Sequence, residues 1–151
     1  MRTRLPSTLP NRPSPRTSVT SDALPVLTEF LAAVGPVRTV AVPGNWEHWS
    51  DVDFQALNAL LADRIGGRFL LNQQAAFTVK GRTVQVVGLD DFTAGRPDVR
   101  QLSLIKPDEV SILLQHSPGF FDEPEVNRLM RAQRFTVCLS GHTHGGQITL
   151  G

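Results

Sequence analysis

A chain of 151 residues has room for one hydrophobic core and not for two independent ones. With 40% apolar and 19% charged residues, wholly disordered, fibrous and disulfide-scaffold classes are excluded, and a single cysteine, Cys138, rules out an internal disulfide. The net charge is +1, but residues 1–21 hold four Arg and no acid, which leaves −3 on the remainder. That balance offers no strong signal for a nucleic-acid partner.

Residues 1–21 are dominated by Pro, Arg, Ser and Thr, a mixture with too little apolar surface to offset chain entropy, and are expected to be disordered. A folded domain is expected over 22–151. Asp22 reads as the cap of a first helix, with Pro25 in its first turn, Leu27, Phe30, Leu31 and Val34 on one face, and Gly35-Pro36 as the stop. Val37 to Val42 is β-branched and apolar and reads as a buried strand. Ser50 followed by Asp53 resembles a capping box for a second helix along Phe54, Leu57, Leu60, Leu61 and Ile65, ended by Gly66-Gly67.

Three β-like runs follow: Phe69 to Asn72, Ala76 to Lys80 and Thr83 to Leu89. The last two are predicted to form a hairpin about Gly81-Arg82. Val110 to Leu114 and Phe135 to Leu139 read as further buried strands around a helix over Glu123 to Gln133, and Gln147 to Leu150 opens another strand. Alternating helices and strands predict an α/β domain. No apolar run exceeds about five residues, far short of the ~18 that a transmembrane helix needs. A cytoplasmic location is therefore expected, with peripheral membrane association as the alternative.

All four histidines follow predicted strands: His48 after the first, His116 after Val110–Leu114, and His142 and His144 after Phe135–Leu139. In α/β sheets the carboxyl ends of strands are where ligands bind, and metal ligands need such rigid supports. Gly141-His142-Thr143-His144-Gly145-Gly146 sets two imidazoles on a turn whose glycines permit positive φ. Gly44-Asn45 adds an amide oxygen suited to a hard cation, walled by Trp46 and Trp49. Asp90 and Asp91 could extend the site, although paired acids after a strand more often form a solvated turn. No Gly-x-Ser-x-Gly motif and no Gly-rich phosphate loop after a strand is present, which disfavours a serine hydrolase or a nucleotide-binding protein. A structural zinc site ranks low because Cys138 has no partner cysteine.

Gly44-Asn45, the lone His116 and Gly141-His-Thr-His-Gly-Gly-Gln147, in that order, resemble the later motifs of the calcineurin-like metallophosphoesterase superfamily, in particular its bacterial single-domain branch. Gly88-Leu89-Asp90-Asp91 is similar to a loop of that branch. The resemblance implies an α/β/β/α fold, a β-sandwich between helical layers. It also implies metal-dependent hydrolysis of small phosphodiesters or phosphomonoesters by metal-activated water. Asn45, His116 and His142 would hold one divalent ion, manganese, iron or zinc, and His144 would belong to a second. His48 would be either the proton donor, since Trp46 stands where the family has histidine, or a residue behind the ligands or at the surface. The family's Asp-x-His and Gly-Asp motifs do not occur in the sequence. The expectation is accordingly an incomplete domain truncated at both ends, with impaired hydrolysis and self-association through an exposed sheet edge. The alternative is a noncatalytic metal-binding remnant or a fragment that works with a partner.

Overall fold

A computed structural model describes residues 19–106, 109–133 and 135–143. The predicted strand over Gln147–Leu150, the tract over 1–18 and His144 lie outside the described residues. Helix α1 spans Val19–Val34, then come β1 (Val40–Ala41), α2 (Asn45–Trp49), α3 (Phe54–Ile65) and β2 (Arg68–Phe69). The chain continues through β3 (Gln73–Val79), β4 (Arg82–Gly88), β5 (Val110–Leu114), α4 (Pro124–Gln133) and β6 (Val137–Leu139), with 3₁₀ turns at Val99–Leu104 and Pro118–Asp122. Among the described residues no helix is long and apolar enough to cross a membrane.

Two sheets form. In the larger, with order β3-β4-β5-β6, β3 and β4 are an antiparallel hairpin and β4, β5 and β6 run parallel. In the smaller, β1 pairs with β2 in parallel through Val40↔Arg68 and Ala41↔Phe69. Period-two alternation sets the two faces of the larger sheet. Val84, Val86, Ile112 and Leu114, with Ala75 of β3, turn toward Val40, Val42 and Leu70 of the β1–β2 layer. Val87 and Leu113 turn the other way and pack with Leu89, Leu102, Phe120 and Val126 under α4 and the 3₁₀ turns. Outside the smaller sheet, Leu31 of α1 and Leu57, Leu61 and Ile65 of α3 pack with Phe69. Helices therefore cover both outer sides of two apposed sheets, the mixed α/β layering implied by the sequence. Gly88 permits the sheets to meet: a Cβ there would come within 2.8 Å of Val42 Cγ1 and closer still to Leu70.

Several boundaries differ from expectation, each for a local reason. Helix α1 starts at Val19, so Asp22 is not its cap and Pro25 lies inside the helix, costing one backbone donor. Strand β1 is limited to Val40–Ala41 because only that stretch pairs with β2, and β2 itself ends at Phe69. Asp53, not Ser50, caps α3: its Oδ1 accepts from the Gln55 and Ala56 backbone N–H groups at 2.9 and 3.1 Å. The hairpin turns at Lys80-Gly81, both at positive φ, so that Arg82 already pairs with Val79. Strand β6, expected to be buried, has all three residues exposed, because it lies at the edge of the sheet among the described residues.

Candidate metal centre

The segment after β1 is the short helix α2. The Glu47 side chain accepts from the Gly44 backbone N–H at 2.8 Å and closes the first turn on itself. This places Asn45, 5% exposed, at the end of α2 nearest the strand ends. His116 follows β5 and His142 follows β6. Their loops are tied by the Gly141 N–H donating to the His116 carbonyl at 3.0 Å, which extends the β5–β6 ladder beyond its last strand pair.

Asn45, His116 and His142 converge on a single atom. Asn45 Oδ1 lies 3.1 Å from His116 Nε2 and 3.3 Å from His142 Nδ1, and the two rings meet edge to face with centroids 5.2 Å apart. An amide oxygen has two lone pairs and can accept from both rings. The spacing also fits shared coordination: with metal–ligand bonds of ~2.0–2.2 Å at ~90–110°, adjacent donors stand ~2.8–3.6 Å apart. Two backbone features serve this packing. A Cβ on Gly44 would come within 2.9 Å of His116 Nε2 and 3.0 Å of Glu47 Oε2, so a larger residue would push one of these side chains aside. The left-handed conformation expected of the flanking glycines falls on His142 itself, at φ 65°, a strained geometry for a residue with a side chain.

The donor set is two imidazoles and one amide, none of which brings a negative charge. Among the described residues no group of three or more His, Cys, Asp or Glu gathers as a metal-binding cluster, since the third member of this one is Asn45. The site residues fit a divalent cation such as zinc, manganese or iron without selecting among them.

His48 is not part of that convergence. Its Nε2 lies 2.5 Å from Asp90 Oδ1, and its ring packs edge-on against Phe54 at 5.2 Å. Asp90 and Asp91, expected in a solvated turn, are 7% and 0% exposed. Asp91 Oδ2 accepts from the Thr93 and Ala94 N–H groups at 2.9 and 2.8 Å, while its Oδ1 takes the Ser117 hydroxyl at 2.6 Å. Asn72, which the sequence reading passed over, completes the network: its Oδ1 accepts from the Asp90 and Asp98 N–H groups, and its Nδ2 donates to the Arg96 carbonyl. Asn72 sits at φ 53° between two β runs, and asparagine's tolerance of that region was the readable signal. Trp46 and Trp49 stand outward, 65% and 59% exposed, edge to face at 5.3 Å.

The sequence matches the calcineurin-like phosphoesterase family model over residues 13–146, most of the chain. The chain belongs to that family. It is 26% identical over 130 residues to the uncharacterized metallophosphoesterase YkoQ of Bacillus subtilis (strain 168), an alignment covering 83% of this chain and 46% of that protein. Similarity to the uncharacterized metallophosphoesterase YkuE of the same organism is 38% over 71 residues, covering 46% of this chain and 23% of YkuE. The uncharacterized protein YpbG, also from that organism, is 29% identical over 83 residues, or 54% of this chain and 30% of its own length. The chain thus spans less than half the length of these curated relatives. No solved structure matches it. Within a calcineurin-like phosphoesterase, metal-dependent hydrolysis of phosphate esters is the general chemistry against which Asn45, His116 and His142 are to be read.

Proposed function

We propose that Asn45, His116 and His142 hold one divalent cation and form part of the catalytic face of a phosphoesterase acting on a small phosphate ester. The observation that carries this reading is the shared approach of both imidazoles to Asn45 Oδ1, at 3.1 and 3.3 Å. A bound cation would polarise a phosphoryl oxygen and make its bound water more acidic. The chain's part is to supply three neutral ligands, which leave the ion's charge undiminished, and to fix their spacing through the Gly141–His116 backbone bond. His144 completes the proposed ligand set as the candidate for a second ion. His48 is the candidate proton donor through Nδ1, since its bond to Asp90 occupies only Nε2.

Neither Asp-x-His nor Gly-Asp occurs in the 151 residues, so these residues would supply no bridging carboxylate of the family's kind. We therefore infer that this chain binds about one divalent cation and hydrolyses phosphate esters weakly or not at all. A noncatalytic metal-binding role is the second reading, favoured by the absence of any carboxylate in the convergence among the described residues. The test is manganese and zinc stoichiometry of the full chain by calorimetry and elemental analysis, beside hydrolysis of an activated phosphodiester. One ion lost in both His116→Ala and His142→Ala supports the site. Stoichiometry unaffected by either substitution overturns it, and two ions with turnover abolished by those substitutions would overturn the claim of weak hydrolysis. Self-association through the exposed β6 belongs to the same proposal, and sedimentation velocity that shows only monomer across a wide concentration range would reject it.

A further inference from the structure

Of the three converging residues, Asn45 follows the strand with the fewest pairs. Strand β1 pairs through two residues, whereas β5, which leads to His116, pairs along its whole length with β4. Apart from Asn45's own contacts, the hydrogen bond that ties α2 to another element, among the described residues, is His48 to Asp90. His48 is one helical turn beyond Asn45, so its imidazole controls where the start of α2 sits.

Asp90 is an unusually fixed anchor. Its N–H donates to Asn72 Oδ1 at 3.0 Å, its Oδ1 accepts from the Asp91 N–H at 2.8 Å, and its Oδ2 accepts from the Arg96 N–H at 2.7 Å. Its carbonyl accepts from Gln115 Nε2 at 2.9 Å, and Gln115 is the residue before His116. The contacts therefore close a ring: Asn45 to His48 through α2, His48 to Asp90, Asp90 to Gln115, Gln115 to His116 along the chain, and His116 back to Asn45 Oδ1.

We propose that His48 and Asp90 are positioning residues, a brace that holds Asn45 against His116 so that the amide oxygen and the imidazole present one spacing. This rests on the metal-site reading for its consequence but not for its geometry. Outer contacts that orient ligands are commonly worth 10- to 100-fold in metal affinity. His48 donates Nε2–H to Asp90 Oδ1, and the Phe54 ring at 5.2 Å keeps the imidazole from turning away.

The test uses the full chain with two readouts. The first needs no metal: nuclear Overhauser contact between the Asn45 side-chain amide and the His116 ring. The second is Mn²⁺ affinity by calorimetry. His48→Phe keeps the packing against Phe54 and removes the donor; it should abolish the contact and weaken Mn²⁺ binding by ~10-fold or more. His48→Gln, which keeps an N–H donor, should restore much of both, an outcome that loss of general stability would not produce. An Asn45–His116 contact that survives in His48→Phe overturns the brace. If His48→Phe binds Mn²⁺ normally while His116→Ala does not, the brace fails and the metal site stands. If the contact depends on His48 but Mn²⁺ binding is indifferent to His116→Ala, the brace stands and the metal site fails. Should His48→Phe not fold, Asp90→Ala beside an unsubstituted chain whose Nε2 proton is located by nitrogen-resolved NMR decides: an unprotonated Nε2 overturns the proposal.

Discussion

The two sides of the molecule are held by different means. On the side of α1, α3, β1 and β2, apolar contact does nearly everything. Leu31, Leu57, Leu61, Ile65 and Phe69 pack together, and beside the β1–β2 backbone ladder the side-chain hydrogen bond between these elements, among the described residues, is that from the Phe69 N–H to Asn58 Oδ1, at 2.8 Å. Its outer surface still shows Val26, Phe30 and Val34 of α1. On the side of β4 and β5, an apolar layer of similar kind is topped by buried polar side chains, Asp90, Asp91, Gln115 and Ser117, that bond to loop backbone and to one another. Apolar packing fixes where a strand lies, but a loop beyond the strand end has no ladder to hold it. Where a loop must aim a side chain, directional bonds replace the ladder. Asn45 is the telling case, because it comes from the apolar side and meets His116 from the polar side.

The strongest way to break this contrast is to delete one polar tie on each side. In Asp91→Ala, the Thr93 and Ala94 N–H groups and the Ser117 hydroxyl lose their acceptor in a site with no solvent exposure. Stranded buried donors cost about 1–3 kcal/mol each, partly recovered by relaxation, so ~3–5 kcal/mol is expected in urea unfolding. Asn58→Ala removes one bond from a half-buried place and should cost ~1 kcal/mol. Equal losses in the two variants would show that the polar network is incidental rather than what fixes these loops.

How far all this was readable in the sequence follows the same division. Strands β4 and β5 were legible because Val84, Val86, Ile112 and Leu114 alternate with residues of the opposite face, and that period is a property of the strand itself. The convergence of Asn45, His116 and His142 was legible because each follows a strand and the motif order supplied the pairing. Helix α2 was not, since five residues carry no period and its closure depends on one Glu47–Gly44 bond. The burial of Asp90 and Asp91 was hidden for a related reason: a carboxylate can be buried when donors surround it, and most of those donors are backbone groups without a residue signature. The exposure of β6 depends on which neighbours a strand has, which its own three residues cannot state.

A smaller effect sharpens the boundary between the sides. Gly88→Ala would put a Cβ 2.8 Å from Val42 Cγ1 and nearer to Leu70, so β1 and the end of β4 must part slightly. Overpacking of this kind costs about 1–3 kcal/mol. Because Val42 lies just before Gly44 and Asn45, the variant should also weaken the Asn45–His116 contact seen by NMR, more than its modest stability loss would suggest. Loss of stability with that contact unchanged would mean that the two sides slide without passing the motion to the site.

The smallest effect is a pH dependence seated in the polar side. Asp98 caps the 3₁₀ turn at Val99–Leu104, and its carboxyl is pulled from its ordinary 3.8 to about 2, chiefly by the hydrogen bond from the Arg100 guanidinium, at 2.7 Å from Nε. A folded-state value below the unfolded one means that the native state prefers the charged carboxylate. The contribution is then complete above about pH 4 and is lost as pH falls through about 2. Arg100 is largely solvent-exposed, so salt should screen much of the effect. The informative quantity is the difference in urea midpoint between the unsubstituted chain and Asp98→Asn. That difference should hold steady from neutral pH to about 4, narrow below it, and be smaller throughout in high salt. A difference that stays constant down to pH 2 would mean that the charge of Asp98 does not contribute to it.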